Sequence, residues 1–159
     1  MKVKVLILSL VLCAAITTHA HSFGLGAQFN FRVGDDPGPG ASLAISPSRT
    51  MHFAVNWYTG SENVNTLGLT MDLLALPRPH ARGLSFVLGG GIFTNAEFAD
   101  DVVFSGGVRV PIGLNLLLIQ RTLEIYTHVA PSFGVHFTPT LGFASPFFPI
   151  ALGARIWLR

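Results

Sequence analysis

The chain has 159 residues, of which 50% are hydrophobic and only 11% charged, with one cysteine and a formal charge of +2. A soluble domain carries about 25% charged residues, so this chain is short of solvating groups. After the first twenty residues Gly, Pro, Asn, Asp and Ser break every apolar run, and none reaches the roughly 20 residues a membrane helix needs. Two readings remain: an unusually apolar soluble β-domain, or a membrane barrel.

Residues 1–20 read as a helical secretory signal peptide. Lys2 and Lys4 form its basic start, residues 5–16 its apolar stretch, and Thr18-His19-Ala20 a small-residue cleavage context. Cys13 as a lipoprotein acylation site is the weaker alternative, because Leu12 is bulky where a small residue is wanted. Cleavage after Ala20 would remove both lysines and the only cysteine, leaving eight Arg against eight Asp and Glu. A neutral mature chain gives no support for nucleic-acid binding. It would also carry no disulfide, thiolate metal site or catalytic thiol.

Residues 21–159 then read as one domain with a period of two. In the first run Phe23, Leu25, Ala27, Phe29, Phe31 and Val33 alternate with Gly24, Gly26, Gln28, Asn30 and Arg32. A weaker strand follows around 40–46. Met51, Phe53, Val55 and Trp57 alternate with His52, Ala54, Asn56 and Tyr58. Leu67, Leu69, Met71 and Leu73 alternate with Gly68, Thr70 and Asp72. A second weaker strand covers 83–93. Val108 to Leu116 alternates with Gly107, Arg109, Pro111, Gly113 and Asn115. Leu123, Ile125, Thr127 and Val129 alternate with Glu124, Tyr126, His128 and Ala130. Ile150, Leu152, Ala154, Ile156 and Leu158 alternate with Gly153, Arg155 and Trp157. Turn-rich pieces at 34–39, 46–49, 59–63, 77–82, 94–101, 119–121 and 136–146 separate eight strands. Pro111 and Pro131 each remove a ladder hydrogen bond, so each marks a bulge or a strand end.

The second face decides which side is wet. It holds Gly, Ala, Ser and Asn with five charges, Arg32, Asp72, Arg109, Glu124 and Arg155, not a solvating surface of Lys and Glu. Small residues suit the narrow interior of an eight-stranded barrel, where the apolar face meets lipid. Charges enclosed there are expected to form an ion-paired network. The expected fold is therefore all-β, an eight-stranded antiparallel transmembrane β-barrel preceded by the signal peptide. With both termini on one side, the opposite loops hold Asp35, Asp36, Glu62, Glu97, Asp100 and Asp101, and the near turns hold Arg49, Arg78, Arg82 and Arg121. Acidic loops sit poorly among lipopolysaccharide phosphates, which implies a membrane poor in that lipid. Trp57, Tyr58, Phe93, Phe98, Phe147, Phe148 and Trp157 fall near strand ends and are candidate interface aromatics.

Three segments carry a resemblance: Gly107-Val108-Arg109-Val110-Pro111-Ile112-Gly113-Leu114-Asn115, Leu123-Glu124-Ile125-Tyr126 running to Val129-Ala130-Pro131, and Ala151-Leu152-Gly153-Ala154-Arg155-Ile156-Trp157-Leu158. The chain resembles the spirochaetal family of small outer-membrane barrels of uncharacterised function, within the OmpA/OmpX/OmpW-like group. The resemblance implies bacterial outer-membrane localisation, surface exposure and roles in host contact. Such chains commonly end in an aromatic residue; here Trp157 is third from the end and Arg159 is last.

No catalytic constellation stands out. His128 and Ser132 share a face but stand about 13 Å apart along a strand, too far for a hydrolase pair even with Asp72 inward. His21, His52, His80, His128 and His136 lack strong ligand spacing with a third donor, so no metal or cofactor is expected. Gly89-Gly90-Gly91 has no following helix or Lys and reads as a close approach in a curved strand. The functional expectation is a non-enzymatic, surface-exposed, monomeric barrel with a plugged polar lumen, in a structural or ligand-contact role. Its partners would be outer-membrane lipid, the assembly machinery and host extracellular ligands. The alternatives are a narrow channel or carrier of small hydrophobic molecules, and a soluble secreted lipid-binding barrel.

Overall fold

The computed structural model describes residues 23–34, 36–60, 64–75, 83–99 and 101–158. The signal-peptide reading of 1–20 and the 77–82 turn lie outside them. Ten strands are present: β1 (Phe23–Gly34), β2 (Gly38–Ser48), β3 (Met51–Thr59), β4 (Asn65–Ala75), β5 (Leu84–Phe98), β6 (Val102–Arg109), β7 (Ile112–Leu118), β8 (Leu123–Val129), β9 (Ser132–His136) and β10 (Gly142–Leu158). There is no helix long and apolar enough to cross a membrane among these residues.

The ten elements make eight spanning strands. β6 and β7 are halves of one strand broken at Val110-Pro111, and β8 and β9 are halves of another broken at Ala130-Pro131. Proline has no N–H to give the ladder, and single hydrogen bonds bridge the breaks. Gly89 donates to the Pro111 carbonyl (2.8 Å), Val110 to that of Pro131 (3.0 Å) and Ala130 to that of Pro149 (3.0 Å).

Every pairing is antiparallel, and the ladder closes on itself. β1 pairs with β2 on one side and with β10 on the other, where Phe23 faces Leu158 and Gly34 faces Phe147. Following register from Ala154 through Ala27, Leu43, Val55, Leu69, Thr94, Gly106 and Val135 returns to β10 at Phe143, eleven residues from the start. One of those eleven is the extra residue of an irregularity between Ala144 and Phe147. Such a stagger is what tilts the strands of a closed barrel.

Burial follows the period of two and inverts the usual order. Gln28, Asn30, Arg32, His52, Asn56, Asp72, Arg109, Glu124 and Arg155 are buried, while Phe29, Leu43, Val55, Leu69, Ile92, Val108 and Leu152 are exposed. On β10 outward residues alternate without a break from Phe148 to Leu158. Ten steps at about 3.3 Å, tilted about 40°, give an apolar belt about 25 Å tall, the height of a membrane barrel's lipid-facing band.

Two expected loops are strand instead. The 94–101 piece belongs largely to β5, which pairs with β6 as far as Phe98↔Val102, and most of 136–146 belongs to β9 and β10. Asn95 in β5 and Gly106 and Gly107 in β6 are poor strand formers. Neighbouring strands nevertheless supply their backbone partners, and Gly107 lies against Gly134 in the ladder, where neither side chain obstructs approach. β2 likewise runs on to Ser48, past the start expected for the 46–49 turn.

Candidate functional site: the enclosed lumen

Alternation points one residue in two inward, and the interior is filled by pairing large side chains with glycines on the next strand. Asp72 on β4 and Arg109 on β6 are separated by Gly91 on β5. With no side chain at Gly91, Arg109 Nε and Asp72 Oδ1 approach to 3.2 Å. Gly153 on β10 separates Tyr126 from Gln28 in the same way, and the Tyr126 hydroxyl donates to Gln28 Oε1 at 3.0 Å. The triple glycine does mark a close approach: a Cβ at Gly89 would stand 2.6 Å from the Leu73 carbonyl oxygen.

The five interior charges form separate pairs instead of one network. Besides Asp72–Arg109, Arg155 Nη1 lies 3.7 Å from Glu124 Oε2. Glu124 also accepts from Trp157 Nε1 (2.5 Å) and from the Asn115 amide. Arg155 Nη2 donates to His52 Nδ1 at 2.6 Å, so that nitrogen is an acceptor. Arg32 takes partners assigned by sequence to the loops: Asp36 at 3.0 Å and Glu97 at 3.4 Å.

Four of the candidate interface aromatics are interior. Tyr58, Phe93, Phe147 and Trp157 are all buried, while Trp57, Phe98 and Phe148 point outward. Tyr58 follows Asn56, and Trp157 follows Arg155, by two residues on the inner face. That parity governs direction whatever the distance to the strand end. Three of these rings, Tyr58, Phe147 and Trp157, lie against guanidinium groups. Arg32 Cζ lies 5.6 Å from the centroids of both Tyr58 and Phe147 at the loop end. At the terminus end Trp157 lies under Arg155 (5.2 Å) and Arg49 (4.9 Å). Each contact within about 6 Å is in cation–π range. Phe93 meets Phe147 edge-on at 5.0 Å.

Between the two stacks, a hydrogen-bonded layer joins Asn30, Ser42, Asn56 and Thr70. A gap of about 10 Å³ lies among His52, Asp72, Asn115, Tyr126, His128 and Arg155, room for about one water. Ser132 Oγ donates to the Ala130 carbonyl (2.8 Å), and His128 stacks on Tyr126 with ring centroids 5.9 Å apart. His128 and Ser132 therefore make no catalytic pair with each other. Among the described residues no three His, Cys, Asp or Glu side chains are grouped for a metal ion.

An antiparallel ring of eight strands, polar within and apolar without, defines a barrel of the transmembrane class. No protein-family model matches the chain, and no curated protein matches it in sequence. Solved structures match it in fold. Neisserial surface protein A is similar at 12% identity and a TM-score of 0.52, covering 85% of this chain and 95% of that one. The N-terminal β-barrel domain of Pseudomonas aeruginosa OprF gives 10% and 0.53, covering 85% and 97%. A major outer membrane protein from Thermus thermophilus gives 12% and 0.54, covering 88% and 100%. At these identities the likeness is one of fold.

Proposed function

We propose that this chain is a small, surface-exposed barrel of a bacterial outer membrane whose lumen is closed. Its role is structural or ligand-contacting, without chemistry of its own. The inversion of burial carries the membrane assignment: ion pairs and amides occupy the interior, while Leu, Ile, Val and Phe cover the outside. In water that arrangement would leave the apolar surface unburied; in a bilayer it is the stable one. The fold likeness to outer-membrane proteins supports the location. The termini then face the periplasm and the opposite hairpins face outward, where a host ligand would be met. The likeness of the second half to spirochaetal barrels belongs to this reading. Arg32 pairs with Asp36 and Glu97, which offsets part of the loop charge that implied a membrane poor in lipopolysaccharide.

The two Arg–aromatic stacks and the small gap between them support closure of the lumen. Planar-bilayer recording tests it. The expected result is no reproducible single-channel step. Robust steps that change with Arg109→Ala would overturn the closed reading in favour of a narrow channel. A refolded protein that stays in the aqueous phase on detergent partitioning would overturn the membrane reading itself.

A further inference from the structure

The apolar belt does not end level around the ring. On the β1–β4 side the strands stop close to the outward residues Val33, Trp57 and Leu67: β1 ends at Gly34, β2 begins at Gly38, β3 ends at Thr59 and β4 begins at Asn65. On the other side the β5–β6 and β9–β10 hairpins continue. Phe143 stands five residues beyond Phe148 along β10, which places it about 10 Å higher along the barrel axis after allowing for tilt.

These two hairpins form one projecting lip. β6 pairs with β9 from Ser105↔His136 to Arg109↔Ser132. Beyond that ladder, Phe137 N donates to the Phe104 carbonyl (2.8 Å), Phe104 N donates to Thr138 Oγ1 (2.9 Å), and Thr138 Oγ1 donates to the Val102 carbonyl (3.2 Å). The outward side of the lip carries Phe98, Val102, Phe104, Phe137, Leu141 and Phe143; Leu141 is 79% exposed and Phe143 94%.

That side continues the lipid-facing one. Phe104 shares its parity with Val108, and Phe137 with Phe133; Phe143 pairs with Val135, which lies between Phe133 and Phe137 on their face. Thr94, Ala96 and Gly106 lie between belt and lip, so no charged side chain marks a water boundary there. Glu97 turns inward to Arg32. A contiguous exposed apolar patch of this kind marks an interaction surface.

We propose that the occupant of this surface is the outer leaflet of the membrane the barrel spans, so that lipid climbs higher on the β5–β10 side than on the β1–β4 side. The proposal rests on the membrane-barrel reading. Its support is the unbroken continuity of the lip with the belt and the lack of charge on the lip's outward face, the exposed Asp101 standing beyond it at the hairpin tip.

Spin-label accessibility tests it. A Cys13→Ser background carries single cysteines in place of Phe143, Phe104 or Leu152, and the refolded full chain is inserted into phospholipid vesicles. Phe143 is almost wholly exposed, so its replacement leaves the fold intact. Labels at 143 and 104 should show an oxygen-to-nickel-chelate accessibility ratio within about twofold of the label at 152, as expected for side chains partitioned into lipid. If 152 is shielded from nickel but 143 and 104 are freely reached, the lip stands in water and the proposal fails while the membrane barrel survives. If 152 is also reached, both readings fall.

Discussion

Asp72 and Arg109 sit two strands apart, yet their side chains meet at 3.2 Å because Gly91 between them has no side chain. A Cβ at Gly91 would fall on the Asp72 carboxylate, whereas one at the neighbouring Gly90 would meet nothing within 4 Å. Replacing each with valine therefore separates space from propensity. Gly91→Val should lower the unfolding free energy by about 3–5 kcal/mol, the cost of breaking a buried ion pair. Gly90→Val, on the outward face, should be neutral or mildly stabilising, since valine favours strands. Urea unfolding in lipid vesicles measures both; equal effects would refute the bridging role of Gly91.

The Gln28–Tyr126 contact across Gly153 makes a parallel prediction. Tyr126→Phe removes the donor to Gln28 Oε1 and should cost about 1–3 kcal/mol, the penalty for a buried polar atom left without a partner. Gly153→Ala should cost more. Its Cβ would lie 2.6 Å from the Tyr126 hydroxyl and 2.8 Å from Gln28 Cβ, displacing both ends of the contact. The same unfolding assay ranks the two.

The two tryptophans report on opposite surfaces. Trp57 is 57% exposed on the lipid side, while Trp157 is 2% exposed in the lumen. Vesicles of brominated phospholipid should quench the fluorescence of Trp157→Phe, whose remaining indole is Trp57. They should leave that of Trp57→Phe almost unchanged. Trp157→Phe also removes a donor to Glu124 and should lower stability by about 1–3 kcal/mol.

Surface proteolysis of intact cells should cut only within 35–37, 60–64, 99–101 and 138–140, the parts of the connections opposite the termini that carry none of the lip's outward apolar side chains. Three windows are narrower than the loops at 34–39, 94–101 and 136–146 read from sequence, and the fourth is shifted by one residue from 59–63, because hydrogen-bonded strand protects the remainder. Cleavage at 77–82 in intact cells would invert or defeat the topology.

Parity was the readable part of the sequence. Every second residue from Gly24 to Arg32 and from Gly153 to Trp157 could be assigned to one face from alternation alone. Nearness to a strand end does not fix direction: Tyr58, Phe93, Phe147 and Trp157 all lie near strand ends, yet parity turns them inward. Pairing was unreadable for a different reason. Asp36 is four residues from Arg32, but Glu97 is 65 residues away, and only the ring's stagger brings them together. The lip is hidden as well, since Asn95 and Gly106 are poor strand formers that are held in strand only by the β5–β6 and β6–β9 ladders.

The seam between β1 and β10 joins Phe23 to Leu158 and runs for twelve pairs, so the bonds that seal the ring link the two ends of the barrel sequence. Until the last strand exists, β1 presents a row of unpaired amides and carbonyls, each costing several kcal/mol in hydrocarbon. A partly translated chain therefore has no stable resting place in the bilayer. Contacts of such long sequence separation also form late and slowly. Closing the ring and burying its backbone in the bilayer are therefore coupled steps in this fold, an all-or-none event.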